Sequence, residues 1–86
     1  MKAEYHKKFD KQFAKLPKSK RDKVIEAVDL FIDNPLDSKL RNHALTGEWA
    51  GFRSISVGGD LRLHLEMIDD QTAFFVAVGT HSQLYR

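Results

Sequence analysis

The sequence lacks cysteine altogether, contains only two prolines and one tryptophan, and has no long apolar run. Without cysteine the chain can form no disulfide bond and offers no thiolate nucleophile, which agrees with a reducing compartment. The longest apolar run, residues 73–78, is far shorter than the ~20 residues that span a bilayer. The charged N-terminus has no apolar segment of the kind that a signal peptide needs. We therefore expect a cytoplasmic protein with no membrane partner.

The charge is small in total but unevenly distributed. The 86 residues carry a net charge of +2, yet residues 1–41 hold eleven Lys and Arg against seven Asp and Glu, whereas residues 42–86 hold three against five. A basic half can attract RNA or an acidic protein, although lysines more often solvate the outer faces of helices. The length and the 42% hydrophobic content predict a single domain over residues 1–86.

Two apolar stripes with helical spacing lie in the first half of the chain. Phe9, Phe13 and Leu16 follow one another at i, i+4 and i+7, which is typical of one face of a helix. The second stripe is clearer and consists of Val24, Ala27, Val28, Phe31 and Ile32. Pro17 separates the two helices, and Pro35 ends the second one. The pattern predicts two antiparallel helices.

The apolar period changes from 3.6 to 2 after residue 49, which indicates strands. Gly58-Gly59 and Asp69-Asp70 mark two hairpin turns. The strand between these turns alternates most regularly, with apolar residues at Leu61, Leu63, Leu65 and Met67. The segment Thr72–Val78 is apolar on both sides, as in a central strand. Lys2–Tyr5 is a further short strand, and residues 36–47 read as a loop with at most one helical turn.

These elements predict an α+β fold in which two N-terminal helices pack on a small, mostly antiparallel sheet. The helices and the sheet each have one apolar face, and neither layer can bury that face alone. We expect the opposite face of the sheet to stay open to solvent. His43, Asp60 and His81 would then meet in one region, because the hairpins fold their segments together.

Two imidazoles and a carboxylate near arginines suit acid–base chemistry on a phosphodiester. Arg62 and Arg53 could bind the phosphate, because a guanidinium matches its geometry. The competing interpretations are an exposed loop histidine at His43 and an ordinary turn aspartate at Asp60 that pairs with Arg62. His43, Asp60 and His81 could also satisfy a zinc count, but no local His-x-x-His spacing supports a metal site. We therefore expect no metal and no other cofactor.

Four motifs carry a family resemblance: Leu-Arg-Asn-His-x-Leu-x-Gly at 40–47, Gly-Phe-Arg-Ser at 51–54, Gly-Gly-Asp-Leu-Arg-Leu at 58–63, and Val-Gly-Thr-His-Ser-x-Leu-Tyr at 78–85. Together they resemble the YafQ branch of the RelE superfamily. The resemblance implies a β-α-α-β-β-β order and a metal-independent endoribonuclease toxin of a type II toxin–antitoxin pair. It further implies three partners: a cognate antitoxin, mRNA on the ribosome, and operator DNA reached only through the antitoxin.

The resemblance also implies roles for individual residues. His43, Asp60, His81 and Arg62 would be catalytic, with His81 as the general acid. Tyr85 matches an aromatic residue of the family's site and would stack on a base. Arg53 and Arg41 would add substrate contacts by their positive charge.

The chain departs from the family pattern at two strand positions. Ser56 stands where such toxins commonly have a second histidine, and Ser54 stands where they have an acidic residue. Either His43 is the only base, or His64 substitutes from the next strand, or activity is weak. We take His64 as a rim or structural histidine. The alternative function is a catalytically weak or inactive module that binds an antitoxin and acts as a co-repressor.

Overall fold

The computed structural model describes residues 1–85 and has the predicted helices and strands. The elements in chain order are β1 (Lys2–Tyr5), α1 (Lys7–Ala14), α2 (Lys18–Asp33), β2 (His43–Ala44), β3 (Arg53–Gly58), β4 (Leu61–Asp69), β5 (Thr72–Thr80) and α3 (His81–Leu84). The predicted β-α-α-β-β-β order is confirmed, with a short β2 and a C-terminal α3 in addition. None of the helices within residues 1–85 is both long and apolar enough to cross a lipid bilayer.

All five strands form one mixed sheet in the order β1-β5-β4-β3-β2. β1 runs parallel to β5, because α1 and α2 carry the chain away and back, and the other pairs are antiparallel. The turn between β3 and β4 is tight, and Gly58 and Gly59 adopt positive φ angles of 146° and 55° there. Glycine adopts these angles without a side-chain clash, so the predicted hairpin forms at this point.

The core lies between the helices and one face of the sheet. Phe75 on β5 is its centre, with ring centroids 6.0 Å from Phe9 of α1 and 5.9 Å from Phe31 of α2. Leu61, Leu63 and Leu65 are all buried, as their alternation predicts. Each large apolar side chain buried in this way contributes roughly 1.5 to 3 kcal/mol, so the helix layer is firmly attached to the sheet.

Two sequence-based expectations about the polar half of the molecule need correction. The segment 36–47 contains the expected helical turn, a 3₁₀ turn at Ser38–Leu40, but it also contains the strand β2, which was not expected. The sheet face away from the helices is not open throughout, since Trp49 and Tyr85 cover its centre above His64. Both corrections arise from contacts between segments that are distant in sequence.

The aromatic centre of the core generates a stability prediction. Phe75→Ala removes a fully buried ring that touches both helices, so we expect it to lower the free energy of unfolding by about 3 to 5 kcal/mol. Ile25→Ala on α2 is the control, because Ile25 is 50% exposed and should change stability by less than about 0.5 kcal/mol. Urea denaturation measures both; similar midpoints for the two variants would contradict this description of the core.

Candidate active site

A row of four paired residues crosses the sheet on the face away from the helices. His43 on β2 pairs with Ser54 on β3, Ser54 pairs with His64 on β4, and His64 pairs with Ala77 on β5. Residues paired in this way project from the same face of a sheet, about 5 Å apart at Cβ. His43 is exposed at one end of the row, whereas His64 is completely buried near its middle.

The protonation of His43 follows from its hydrogen bond. Its Nδ1 lies 2.8 Å from the main-chain oxygen of Arg41. A carbonyl oxygen can only accept, so Nδ1 carries the hydrogen in this bond. In the neutral ring, Nε2 is then the nitrogen with the free lone pair. His43 is therefore held in the tautomer that can take a proton at Nε2.

The backbone at Arg41 is unusual. Arg41 has φ 49° and ψ 43°, and it is the one residue other than glycine with a positive φ within residues 1–85. This left-handed conformation costs roughly 1 to 2 kcal/mol for a residue with a side chain. It directs the Arg41 carbonyl to the His43 ring, so the strain is located where it orients a candidate catalytic group.

Asn42 anchors the same turn from both sides. Its Nδ2 donates to the carbonyl of Pro35 at 2.9 Å, and its Oδ1 accepts from Nε of Arg53 at 2.7 Å. Arg53 is also paired with Ala44 in the sheet. The guanidinium of Arg53 is therefore held beside the segment that carries His43. Sequence reasoning singled out Arg53 but missed Asn42 as its partner.

His64 is packed tightly and has no polar partner. Its ring centroid lies 4.3 Å from that of Trp49, nearly perpendicular to it, and 5.5 Å from that of Tyr85. Neither ring nitrogen forms a hydrogen bond within residues 1–85. Burial lowers the pKa of His64 to about 4, and the neighbouring His43 and His81 act in the same direction. The ring is therefore neutral near pH 7.

The interpretation of His64 as a rim residue is wrong, because its side chain is 0% exposed. A substrate cannot touch a nitrogen that the protein encloses. In this conformation His64 cannot replace a strand base, which removes one of the alternatives that the sequence left open.

The last residues of the chain that the structure describes form a compact unit, which we call the terminal turn (His81–Tyr85). Thr80 caps it: its Oγ1 accepts from the amide of Gln83 at 3.3 Å, and its own amide donates to Oε1 of Gln83 at 2.8 Å. The rings of His81 and Tyr85 lie 4.6 Å apart on one side of the turn. The indole Nε1 of Trp49 donates to the Leu84 carbonyl at 3.2 Å.

Arg62 lies in the row next to the histidines. Ser56, Arg62 and Gly79 pair across β3, β4 and β5, and Nη1 of Arg62 donates to Oγ of Ser56 at 3.3 Å and to the Gly59 carbonyl at 3.4 Å. A guanidinium therefore occupies the neighbourhood of Ser56, where the resemblance led us to look for an imidazole.

Asp60 lies exposed in the turn between β3 and β4. Within residues 1–85 the only ion pair joins Lys18 and Asp22. Asp60 therefore does not pair with Arg62, as one interpretation of the sequence had it. Within the same residues 1–85, no hydrogen bond joins Asp60 to His43 or to His81. The catalytic role of Asp60 therefore stays a prediction.

The fold thus gathers His43, His64 and His81, with Tyr85, around one face of the sheet. His43 and His81 both lie near enough to affect the charge of His64. In the region that the structure describes, no three histidine or carboxylate side chains are placed to share one metal ion. Sequence reasoning also missed Trp49, whose ring joins the β2–β3 side of this face to the terminal turn. The available signal was that the sequence has one tryptophan.

Comparison with known proteins identifies the family. A model described as a bacterial toxin of type II toxin–antitoxin system, YafQ, matches residues 1–86. The chain belongs to the YafQ family. No curated protein matches this sequence.

Solved structures agree with the family match. YafQ from E. coli strain BL21(DE3) is 28% identical with a TM-score of 0.80, over 98% of this chain and 97% of that one. YafQ in the E. coli DinJ-YafQ toxin-antitoxin complex is 28% identical with a TM-score of 0.77, over 98% and 96%. The YoeB/ParE toxin from Agrobacterium tumefaciens shares the fold alone, at 14% identity and a TM-score of 0.78 over 94% and 99%. The resemblance seen in the motifs is confirmed.

The burial of His64 generates a prediction about pH. The folded protein binds the His64 proton only near pH 4, whereas the unfolded chain binds it near pH 6.5. Between these values the unfolded state holds more protons, so the free energy of unfolding falls as the pH drops from 6.5 to 4. The stability is present in full above pH 6.5. We expect this group to account for a loss of roughly 1 to 3 kcal/mol.

Urea denaturation at pH 7 and pH 4.5 measures this loss, with His64→Leu as the matched variant. Leucine has a similar size and no titratable nitrogen, so the variant should lose clearly less stability than the wild type over the same interval. Carboxylates titrate in both proteins, and their contribution cancels in the comparison. An equal loss in both proteins would mean that His64 is not held neutral by burial.

Proposed function

We propose that this YafQ-family protein is an endoribonuclease toxin that cleaves mRNA on the ribosome by metal-independent acid–base transesterification and so inhibits translation. The observation that carries the proposal is the hydrogen bond from His43 Nδ1 to the Arg41 carbonyl. It leaves Nε2 ready to accept a proton on the sheet face beside which His81 and Tyr85 lie. Family membership supports the same function.

The proposed reaction needs one base, one acid and a cation. His43 Nε2 removes the proton from a ribose 2′-hydroxyl, and the 2′-oxygen attacks the adjacent phosphorus. Protonated His81 gives its proton to the departing 5′-oxygen as the P–O5′ bond breaks. The products are a 2′,3′-cyclic phosphate and a 5′-hydroxyl. Arg62 balances the negative charge that develops on the non-bridging oxygens, for which a guanidinium is well suited.

The remaining predicted residues bind the RNA and orient the catalytic groups. Arg53 and Arg41 flank His43 and supply positive charge for neighbouring phosphates. Tyr85 offers its ring as a stacking surface for a base next to the scissile bond. Asp60 directly precedes Leu61, which pairs with Thr80, so its carboxylate belongs to the end of the sheet where His81 lies. There we propose that it orients the imidazole of His81.

Ser56 favours a second candidate function. With serine at this position and His64 enclosed, His43 is the only imidazole on the strands that is available as a base. A protein of this kind could serve mainly to bind its antitoxin and co-repress the operon. Expression in bacteria without any partner separates the two: growth arrest with truncated transcripts supports the nuclease, whereas normal growth with intact RNA supports the binding module.

We also propose a cognate antitoxin as the protein partner, because the E. coli relative is found in a DinJ-YafQ toxin-antitoxin complex. The lysines on the outer sides of α1 and α2 suit an acidic segment of such a partner. Operator DNA would be reached through the antitoxin.

His81→Ala tests the acid role. Loss of a well-placed acid–base group should reduce RNA cleavage by about 10² to 10⁴-fold, and induction of the variant should no longer arrest growth. His6→Asn is the control, since His6 lies far from the site at the start of α1, where its ring caps the Lys8 amide at 2.9 Å, and asparagine can cap equally well. Arrest by His81→Ala as strong as that by the wild type would refute the assignment.

Substitutions at Arg41 separate its main-chain role from its side-chain role. Arg41→Gly keeps the carbonyl and adopts the left-handed conformation readily, so kcat should stay near the wild-type value while KM rises with the loss of a phosphate contact. Arg41→Val disfavours this conformation and misdirects the carbonyl, so kcat should fall roughly 10-fold or more. Steady-state cleavage of a short RNA measures both constants. Equal kcat values for the two variants would show that the carbonyl does not orient His43.

A further inference from the structure

The terminal turn contributes two residues to the proposed site, and two contacts join it to Trp49 and His64. One is the hydrogen bond from Trp49 Nε1 to the Leu84 carbonyl at 3.2 Å. The other is the packing of Tyr85 on His64, with 5.5 Å between the ring centroids. Trp49 and His64 also touch each other at 4.3 Å. This aromatic–imidazole pair therefore helps to fix the turn that carries His81 and Tyr85, together with the buried Leu84 and the direct link to β5.

This pair requires a neutral His64. The paired neighbours Ser54 and Ala77 cannot take a charge, and neither ring nitrogen of His64 has a hydrogen-bond partner within residues 1–85. In this arrangement a protonated ring would have two N–H donors without an acceptor.

The charged and titratable groups around the ring do not offset this cost. Arg62 flanks His64 on β4, and His43 from β2 and His81 from the terminal turn face it as further groups that can be positive. Glu66 flanks it on the other side of β4, and no ion pair joins Glu66 to His64 within residues 1–85. A protonated His64 is therefore favoured only if water reaches it.

We propose that Trp49 and His64 form a latch that holds the terminal turn in its reactive position, and that the latch opens when the His64 ring gains a proton. Water can reach the ring if Tyr85 and the Leu84 carbonyl move away from it. Opening would carry His81 and Tyr85 away from His43. Trp49 and His64 are positioning residues here, because they act through the terminal turn. This inference rests on the proposed function, because the position of the turn is reactive only if His81 takes part in RNA cleavage.

The latch can be observed without any measurement of activity, because Trp49 is the only tryptophan. Its indole N–H gives a single resonance in a ¹H–¹⁵N spectrum, and that group is the donor to Leu84. In the full-length wild type we expect this resonance to shift as the pH falls from 7 to 4, with a midpoint below pH 6, while far-UV circular dichroism stays constant. Tyr85 ring protons should lose their nuclear Overhauser contacts with His64 over the same range.

Matched variants identify the group that titrates. His64→Leu should abolish the transition below pH 6, whereas His43→Asn and His81→Asn should each retain it. The latch is refuted if the indole transition persists in His64→Leu, if it is absent from the wild type, or if it coincides with loss of the circular dichroism signal. All three outcomes concern the latch alone, and they can be measured even if the protein cleaves no RNA.

A double-mutant comparison tests whether the latch serves His81. Trp49→Phe keeps an aromatic ring but removes the donor to Leu84, so cleavage at pH 7 should fall roughly 10- to 100-fold through kcat. In a His81→Ala background the same substitution should have little further effect, because the residue it positions is already missing. Additive losses would overturn the proposal. If the wild type shows no cleavage at all, the proposed function fails, whereas the spectroscopic result still decides about the latch.

Discussion

The perpendicular contact between Trp49 and His64 is the constraint on which the candidate site depends. Trp49 follows β2 by a few residues and so moves with the segment that carries His43, whereas His64 lies on β4 in the centre of the sheet. The terminal turn packs on both of them. Without this contact, residues 43 and 81 would be joined only by the strand order, which fixes backbones about 4.8 Å apart but not the side chains at their ends.

Much of the fold could be predicted from local patterns. Leu61, Leu63 and Leu65 alternate because one side of β4 faces the helices, and all three are buried as expected. The same alternation placed His64 on the polar face and so suggested exposure. Its burial depends on Trp49 and Tyr85, which are 15 and 21 positions away in sequence. The alternation of residues within a strand does not show which distant residues cover it, so the burial of His64 could not be predicted from β4 alone.

The turn around His43 shows a second limit of sequence reasoning. β2 has two residues, which is too short for any periodicity. Nothing local indicates that Arg41 adopts a left-handed conformation, since arginine has no preference for it. The conformation persists because Asn42 is fixed between Pro35 and Arg53. His43, His81 and the arginines could be listed as candidates, but the tautomer of His43 could be derived only from the geometry.

A neutral histidine that is enclosed by aromatic rings lowers the stability of the folded protein. A leucine there would fill a similar volume, and a buried polar group without a partner costs about 1 to 3 kcal/mol. In a protein of 86 residues, whose total stability is of the order of 5 to 10 kcal/mol, that cost is substantial. Groups that lower stability in this way are often found where function needs them. The terminal turn packs on this histidine, whose pKa is lowered by burial, so the proposed latch links the position of His81 to pH through His64.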